Sequence, residues 1–326
     1  MGDASMVQAQ ALTPAVPHVS DRQLSPGVRP VSVDADGVTL SALMSEPAHG
    51  PARAVIVALH GGGMNAGYFD GQAHPDVSLL ALGARLGYTV LALDRPGYGA
   101  SLGRFPHGQT LTAQAATVRD AVAAFTARHA PGAATVLLGH SFGAKVAFAI
   151  AADSSVREVL GVEVSGCGRR LAAHPQPAGP ESGPGLRQLN WGPLGLYPVQ
   201  TFQKSRTVVT PMPEHEADSV KSWTRLSDTL LPRVRVPVRL TFAEHEAWWH
   251  HDDDAIGDLT ARLSAAPRVV VDRLPHAGHN ISLGWTARAY HLKALAFAEE
   301  CLAHTRTRHP GDCAGGETGQ AVRACS

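Results

Sequence analysis

The chain has 326 residues, enough for one elaborated α/β domain with a sizeable core. Its 28 Lys and Arg balance 28 Asp and Glu, and 44% hydrophobic with 17% charged residues is the make-up of an ordinary soluble globule. That balance offers no electrostatic case for nucleic acid, and no stretch reaches the roughly 20 apolar residues of a membrane span.

Residues 1–28 are polar and Pro-punctuated and predict a poorly ordered tail. They lack the basic start and apolar segment of a secretory signal, and Met6 stands where N-myristoylation needs Ser or Thr, so a cytoplasmic location is expected. "VSVDADGVTLSALMS" then reads as two short strands joined at an Asp-Gly turn. Beyond it, apolar runs of strand length at 52–60, 88–94, 134–140, 159–165, 236–244 and 268–275 alternate with helical patterns near 76–86, 111–129, 141–152, 254–265 and 284–303. Runs apolar on both faces suit a parallel sheet covered by helices, which makes this an α/β chain built of βαβ units. The core is expected over 29–166 and 232–304, with a flexible tail over 305–326.

One interval breaks the rhythm. Residues 167–231 begin too rich in Pro and Gly for core elements, then bring Val220, Trp223, Leu226 and Leu230 onto one helical face. This insertion is expected to cover the ends of the strands, where α/β proteins bind ligands. Cys167, Cys301, Cys313 and Cys325 are scattered without metal-ligand spacing and predict free thiols, a Cys313–Cys325 bridge being the less favoured alternative.

The chemistry is concentrated at strand ends. "GHSFG", 139–143, fits G-x-S-x-G between a strand and a helix, a turn whose glycines let the backbone hold Ser141 over a helix N-terminus. A serine hydroxyl needs a base with a pKa near neutrality, itself oriented by an acceptor. "LPHAGHNISLG" follows the last strand and offers His279 as the base, ahead of His276; "TFAEHEAWW" offers Glu246 as the acid, with Glu244 the alternative. Asp252, Asp253 and Asp254 read as the start of the next helix. "HGGG", 60–63, allows amides to turn toward a carbonyl oxygen, and the N–H groups of Gly62, Gly63 and Phe142 are the candidate oxyanion donors. Met64, Trp223, Trp248 and Trp249 are candidate pocket residues, aromatic packing of the insertion being the competing use for the tryptophans.

These residues resemble the α/β-hydrolase superfamily over about 31–304, and "LDRPGYGAS", 93–101, looks like the D-x-P-G-x-G-x-S turn that many members carry. The resemblance implies an eight-stranded, mostly parallel sheet, helices on both faces, a helical cap between strands six and seven, and a Ser-acid-His triad carried here by Ser141, Glu246 and His279. Lys145 departs from the small or apolar residues usual after the elbow, and an edge position with a snorkelling stem is expected for it. The expected function is cleavage of an ester, lactone or thioester of an apolar small molecule through an acyl-enzyme, with no metal or cofactor. The alternative is a cofactor-free biosynthetic enzyme of the same fold, a cyclase, acyl transferase, lyase or carbon-carbon bond-forming enzyme. A ligand receptor is disfavoured, because neither nucleophile nor base is missing. Oligomeric state is not legible, and a homodimer stays open.

Overall fold

The six apolar runs become six strands: Val55–Leu59 (β3), Thr89–Leu93 (β4), Thr135–His140 (β5), Val159–Ser165 (β6), Val238–His245 (β7) and Val269–Gly278 (β8). The computed structural model describes residues 23–130, 132–173 and 184–308. Ahead of the six, Arg29–Ala35 (β1) and Val38–Ser45 (β2) pair across a tight turn at Asp36 and Gly37, whose φ values of 47° and 79° are those a two-residue hairpin demands. The eight strands form one sheet in the order β1-β2-β4-β3-β5-β6-β7-β8. β1–β2 and β2–β4 are antiparallel, and every other pairing is parallel. The central strands β3, β4 and β5 are buried along their whole length, the reason their sequences show no polar alternation.

Helices cover both faces. Leu79–Arg85 (α1) is capped by Ser78, whose Oγ accepts from the Ala81 N–H, and Leu111–His129 (α2) is capped by Thr110. Phe142–Ala151 (α3) follows β5 directly. Asp252 caps Asp253–Arg262 (α7), with Asp253 and Asp254 in its first turn. Ala287–Arg308 (α8) runs four residues beyond the expected boundary at 304, which corrects the start of the C-terminal tail; the rest of that tail, with Cys313 and Cys325, lies outside the described residues. At the other end, residues 23–28 are part of the fold rather than of a loose tail: the Ser25 N–H donates to Asp70 Oδ2 and the Val28 N–H to the Ser25 carbonyl. Residues 1–22 lie outside the described residues. No helix among the described residues is long and apolar enough to cross a membrane.

Between β6 and β7 the chain forms Pro184–Trp191 (α4), Thr201–Lys204 (α5) and Glu214–Leu230 (α6). Trp223 of α6 is buried against the α3 side of the core; at about 25 cal/mol per Å² its burial is worth about 4 kcal/mol of gross transfer energy. The buried side of α6 also carries Glu216 and Ser227, polar residues that the apolar pattern did not reveal. Because β3, β5, β6, β7 and β8 run parallel, the segments that follow them emerge at one edge of the sheet, and side chains distant in sequence meet there.

Candidate active site

The turn after β5 is built on two obligate glycines. A Cβ on Gly139 would lie 2.6 Å from Ala144 Cα, and one on Gly143 would lie 2.1 Å from the Leu59 carbonyl oxygen. With no room for side chains, α3 packs directly against β3 and β5, and Ser141 is held at φ 52°, ψ −112°, an unfavourable conformation for a residue with a Cβ. Ser141 is half-buried, and its Oγ lies 3.2 Å from His279 Nε2.

His279 and Glu246 complete a line. His279 Nδ1 is 2.8 Å from Glu246 Oε2 and 3.0 Å from Oε1, and the Trp248 N–H donates to Oε1 at 2.9 Å. The carboxylate can only accept, so Nδ1 carries the hydrogen and Nε2 is left to accept the Ser141 proton. Gly166 makes room for the imidazole: it has φ 60°, and a Cβ there would lie 2.9 Å from His279 Cε1. His140, next to the serine, stacks on Tyr68 at 4.6 Å and meets the Ser165 hydroxyl through Nδ1. Burial, then the neighbouring His279, hold its pKa well below the ordinary range, so it forms a neutral wall.

The competing acid and base meet each other instead. Glu244 accepts the His276 N–H at 2.6 Å, which holds the exposed carboxylate below its usual range, and the His276 side chain is 82% exposed. Both sit at an irregularity in the β7–β8 register, where Ala243 pairs Leu274 but His245 pairs Gly278. The extra length in β8 carries His276, at φ 53°, to the rim.

Gly61 abuts the serine, since a Cβ there would lie 3.2 Å from Ser141 Cβ. Phe142 opens α3, so its N–H has no intrahelical acceptor. Gly63 departs from the expectation: its N–H donates to the Tyr98 hydroxyl at 2.9 Å and is not free for a substrate oxygen. Gly62 and Phe142 remain as the candidate donors.

The expected pocket residues divide. Trp248 is half-buried with its ring centroid 6.4 Å from that of His279, and its Nε1 donates to Asn190 of α4. Met64 belongs instead to the core around Tyr68 and Phe69. Trp249 borders a cleft of about 880 Å³, shared with Ala243 and Leu274, that adjoins Glu246 rather than Ser141.

Lys145 corrects a second expectation. Far from an edge position, it is 2% exposed, with Nζ 5.4 Å from the Phe142 ring, 5.4 Å from Trp223 and 5.3 Å from Trp249. Two of those rings come from segments more than seventy residues downstream, so the cage was invisible around position 145. No carboxylate among the described residues lies within ion-pair distance of it. Burial lowers its pKa from 10.5 to about 8. The unfolded chain therefore keeps this proton to higher pH, and stability is lost as pH falls from 10.5 through about 8. Lys145→Met is expected to stabilise the protein by on the order of 2–3 kcal/mol at neutral pH, an advantage that fades toward pH 10.5. Denaturant unfolding of both proteins across that range checks it, and a gap independent of pH would refute it.

The model of a family described as the alpha/beta hydrolase family matches residues 56–305. Among solved structures, the chain is similar to a lipase in its open form, with 15% identity, TM-score 0.62, and 84% of this chain and 99% of that one covered. It is similar to a highly thermostable carboxyl esterase from Bacillus coagulans in complex with glycerol, at 12% identity, TM-score 0.61, covering 85% and 100%. A bacterial membrane phospholipase A described as a virulence factor aligns at 18% identity, TM-score 0.61, covering 84% and 87%. At such identities the likeness speaks for the fold alone. No curated protein matches the chain by sequence.

Proposed function

The chain belongs to the alpha/beta hydrolase family, and on that footing we propose that it is a serine hydrolase that cleaves an ester, lactone or thioester of an apolar small molecule. The observation that carries this reading is the continuous hydrogen-bonded line from Ser141 through His279 to Glu246. In the first half-reaction His279 Nε2 takes the Ser141 proton as Oγ attacks the carbonyl carbon, and Glu246 stabilises the imidazolium. The oxyanion that forms accepts from the Gly62 and Phe142 amides, aided by the N-terminal end of α3. The imidazolium returns its proton to the leaving alcohol or thiol. Water, deprotonated by the same imidazole, then releases the acid and restores Ser141.

The described parts of the insertion, 167–173 and 184–231, form the cap over this edge of the sheet in this proposal, with Trp248, tied to Asn190 of α4, as an apolar wall beside the imidazole. The chemistry requires no metal or cofactor.

Two measurements test the proposal together. A fluorophosphonate is expected to label the folded protein at Ser141, and hydrolysis of short aryl esters in water enriched in heavy oxygen is expected to place one solvent oxygen in the acid product. Absence of the adduct would overturn the nucleophile, and product lacking solvent oxygen would favour transfer or cyclisation over hydrolysis.

A further inference from the structure

Behind the glycine loop lies a buried polar cluster that takes no part in the proton transfers of the proposed chemistry. Arg95 is wholly buried. Its Nε donates to the His60 carbonyl at 2.8 Å, its Nη2 to the Gly61 carbonyl at 3.1 Å and to Glu216 Oε2 at 3.1 Å, and its Nη1 to Gln114 Oε1 at 2.7 Å and to Glu216 Oε1. Glu216, on α6, is also fully buried, and it further accepts from Gln114 Nε2 at 2.9 Å and from the Tyr98 hydroxyl at 2.7 Å. Burial and Glu216 both hold the Tyr98 phenol protonated, so its oxygen is free to accept the Gly63 N–H.

The consequence follows from peptide geometry. The Gly62 N–H shares a trans peptide plane with the Gly61 carbonyl and points the opposite way. That carbonyl is held from behind by Arg95 and by His60 Nδ1, the latter at 2.9 Å. On the far side of Gly62 the next plane is fixed by the Gly63 N–H on Tyr98, and the Gly63 carbonyl accepts the Thr210 N–H at 2.9 Å. Met212 lies over the loop, so close that a Cβ on Gly62 would come within 3.0 Å of its Cε. The Gly61 carbonyl, the Gly63 N–H and the Gly63 carbonyl are thus all engaged, while the Gly62 N–H has no hydrogen-bond partner among the described residues.

We infer that Arg95, clamped by Glu216 of α6, is the positioning residue that aims the Gly62 amide at a developing oxyanion, so that the insertion takes part in building the oxyanion hole. This rests on the serine-hydrolase reading. Apolar contact alone would have seated α6, as Trp223 does. A carboxylate buried 121 residues from its arginine instead ties the helix to the loop whose peptide planes must not rotate. Lysine could not replace the arginine, because a point ammonium cannot serve two carbonyls and a carboxylate in one plane.

The test compares Arg95→Lys, Tyr98→Phe and Asp228→Asn, the last loosening the contacts of α6 with Arg169 and Arg262 without reaching the loop. For aryl-ester hydrolysis, kcat is expected to fall about 30- to 100-fold in Arg95→Lys and about 10-fold in Tyr98→Phe, with KM within about threefold. Affinity for a trifluoromethyl ketone, which forms the tetrahedral oxyanion, is expected to fall by the same factors, while Asp228→Asn leaves both unchanged. A merely structural cluster would lower melting temperature without moving ketone affinity, and that result, in either folded loop variant, overturns the inference. Equal losses in Asp228→Asn overturn it as well. A wild-type protein that neither labels with fluorophosphonate nor cleaves the ester takes down the parent reading and this one together; an active wild type with unaltered variants takes down this one alone.

Discussion

Alanine at position 141 is expected to leave a folded protein whose ester hydrolysis is slower by a factor on the order of 10⁵–10⁶, with residual activity from binding and the oxyanion amides. The stability side of the experiment is clean. Serine and alanine share a Cβ, so the strain at φ 52° is unchanged, and among the described residues the hydrogen bond that Oγ gives up is the one with His279 Nε2. The measurement is kcat/KM with an aryl ester, accompanied by fluorophosphonate labelling and thermal unfolding. Retention of more than about a hundredth of wild-type activity in a folded Ser141→Ala protein, free of contaminating esterase, would dispose of the nucleophile.

Glu246→Gln is expected to lower kcat about 10⁴-fold, whereas Glu244→Gln is expected to change it by less than about threefold. Trp248 decides the outcome. Its N–H donates to Oε1 of Glu246, so a glutamine must place its carbonyl oxygen there and its NH₂ at the Oε2 position. That NH₂ then faces His279 Nδ1 across 2.8 Å, closer than the 3.0 Å contact with the amide oxygen, and favours the tautomer with the hydrogen on Nε2. Such an imidazole cannot accept from Ser141. Geometry is preserved while the proton sits on the wrong nitrogen, so KM and melting temperature are expected to move little. At Glu244 the amide oxygen can still accept the His276 N–H at the exposed rim, and no catalytic distance changes. Equal losses in the two variants would remove Glu246 from its assigned role.

The distinction between those two glutamates marks the limit of what the residues alone could say. Side chains at i and i+2 of a strand share a face, so periodicity cannot separate Glu244 from Glu246. The extra residues of β8 opposite Ala243–His245 separate them, sending one to the rim and the other under Trp248. Gly63 is a like case: nothing within 60–63 shows that its amide is taken by Tyr98, a member of the 93–101 motif. Gly166 carries no signal of its own either, since a lone glycine after a strand has many uses, and its need appears only when His279 is packed against it.

By itself the sequence determined the sheet, the turn around Ser141 and the chain order of the candidate serine, glutamate and histidine, because these depend on local properties: apolar runs that must be buried, glycines that alone admit the turn, and connections short enough to alternate strand with helix. Only the tertiary structure decided which carboxylate meets His279, which glycine amide stays free, and that Lys145 lies inside an aromatic cage instead of at an edge. Those outcomes depend on contacts between segments 30 to more than 120 residues apart. Hydrogen bonds and ring contacts act over a few ångströms of space whatever the separation along the chain, and no pattern read within one segment reports which groups the fold will bring to that distance.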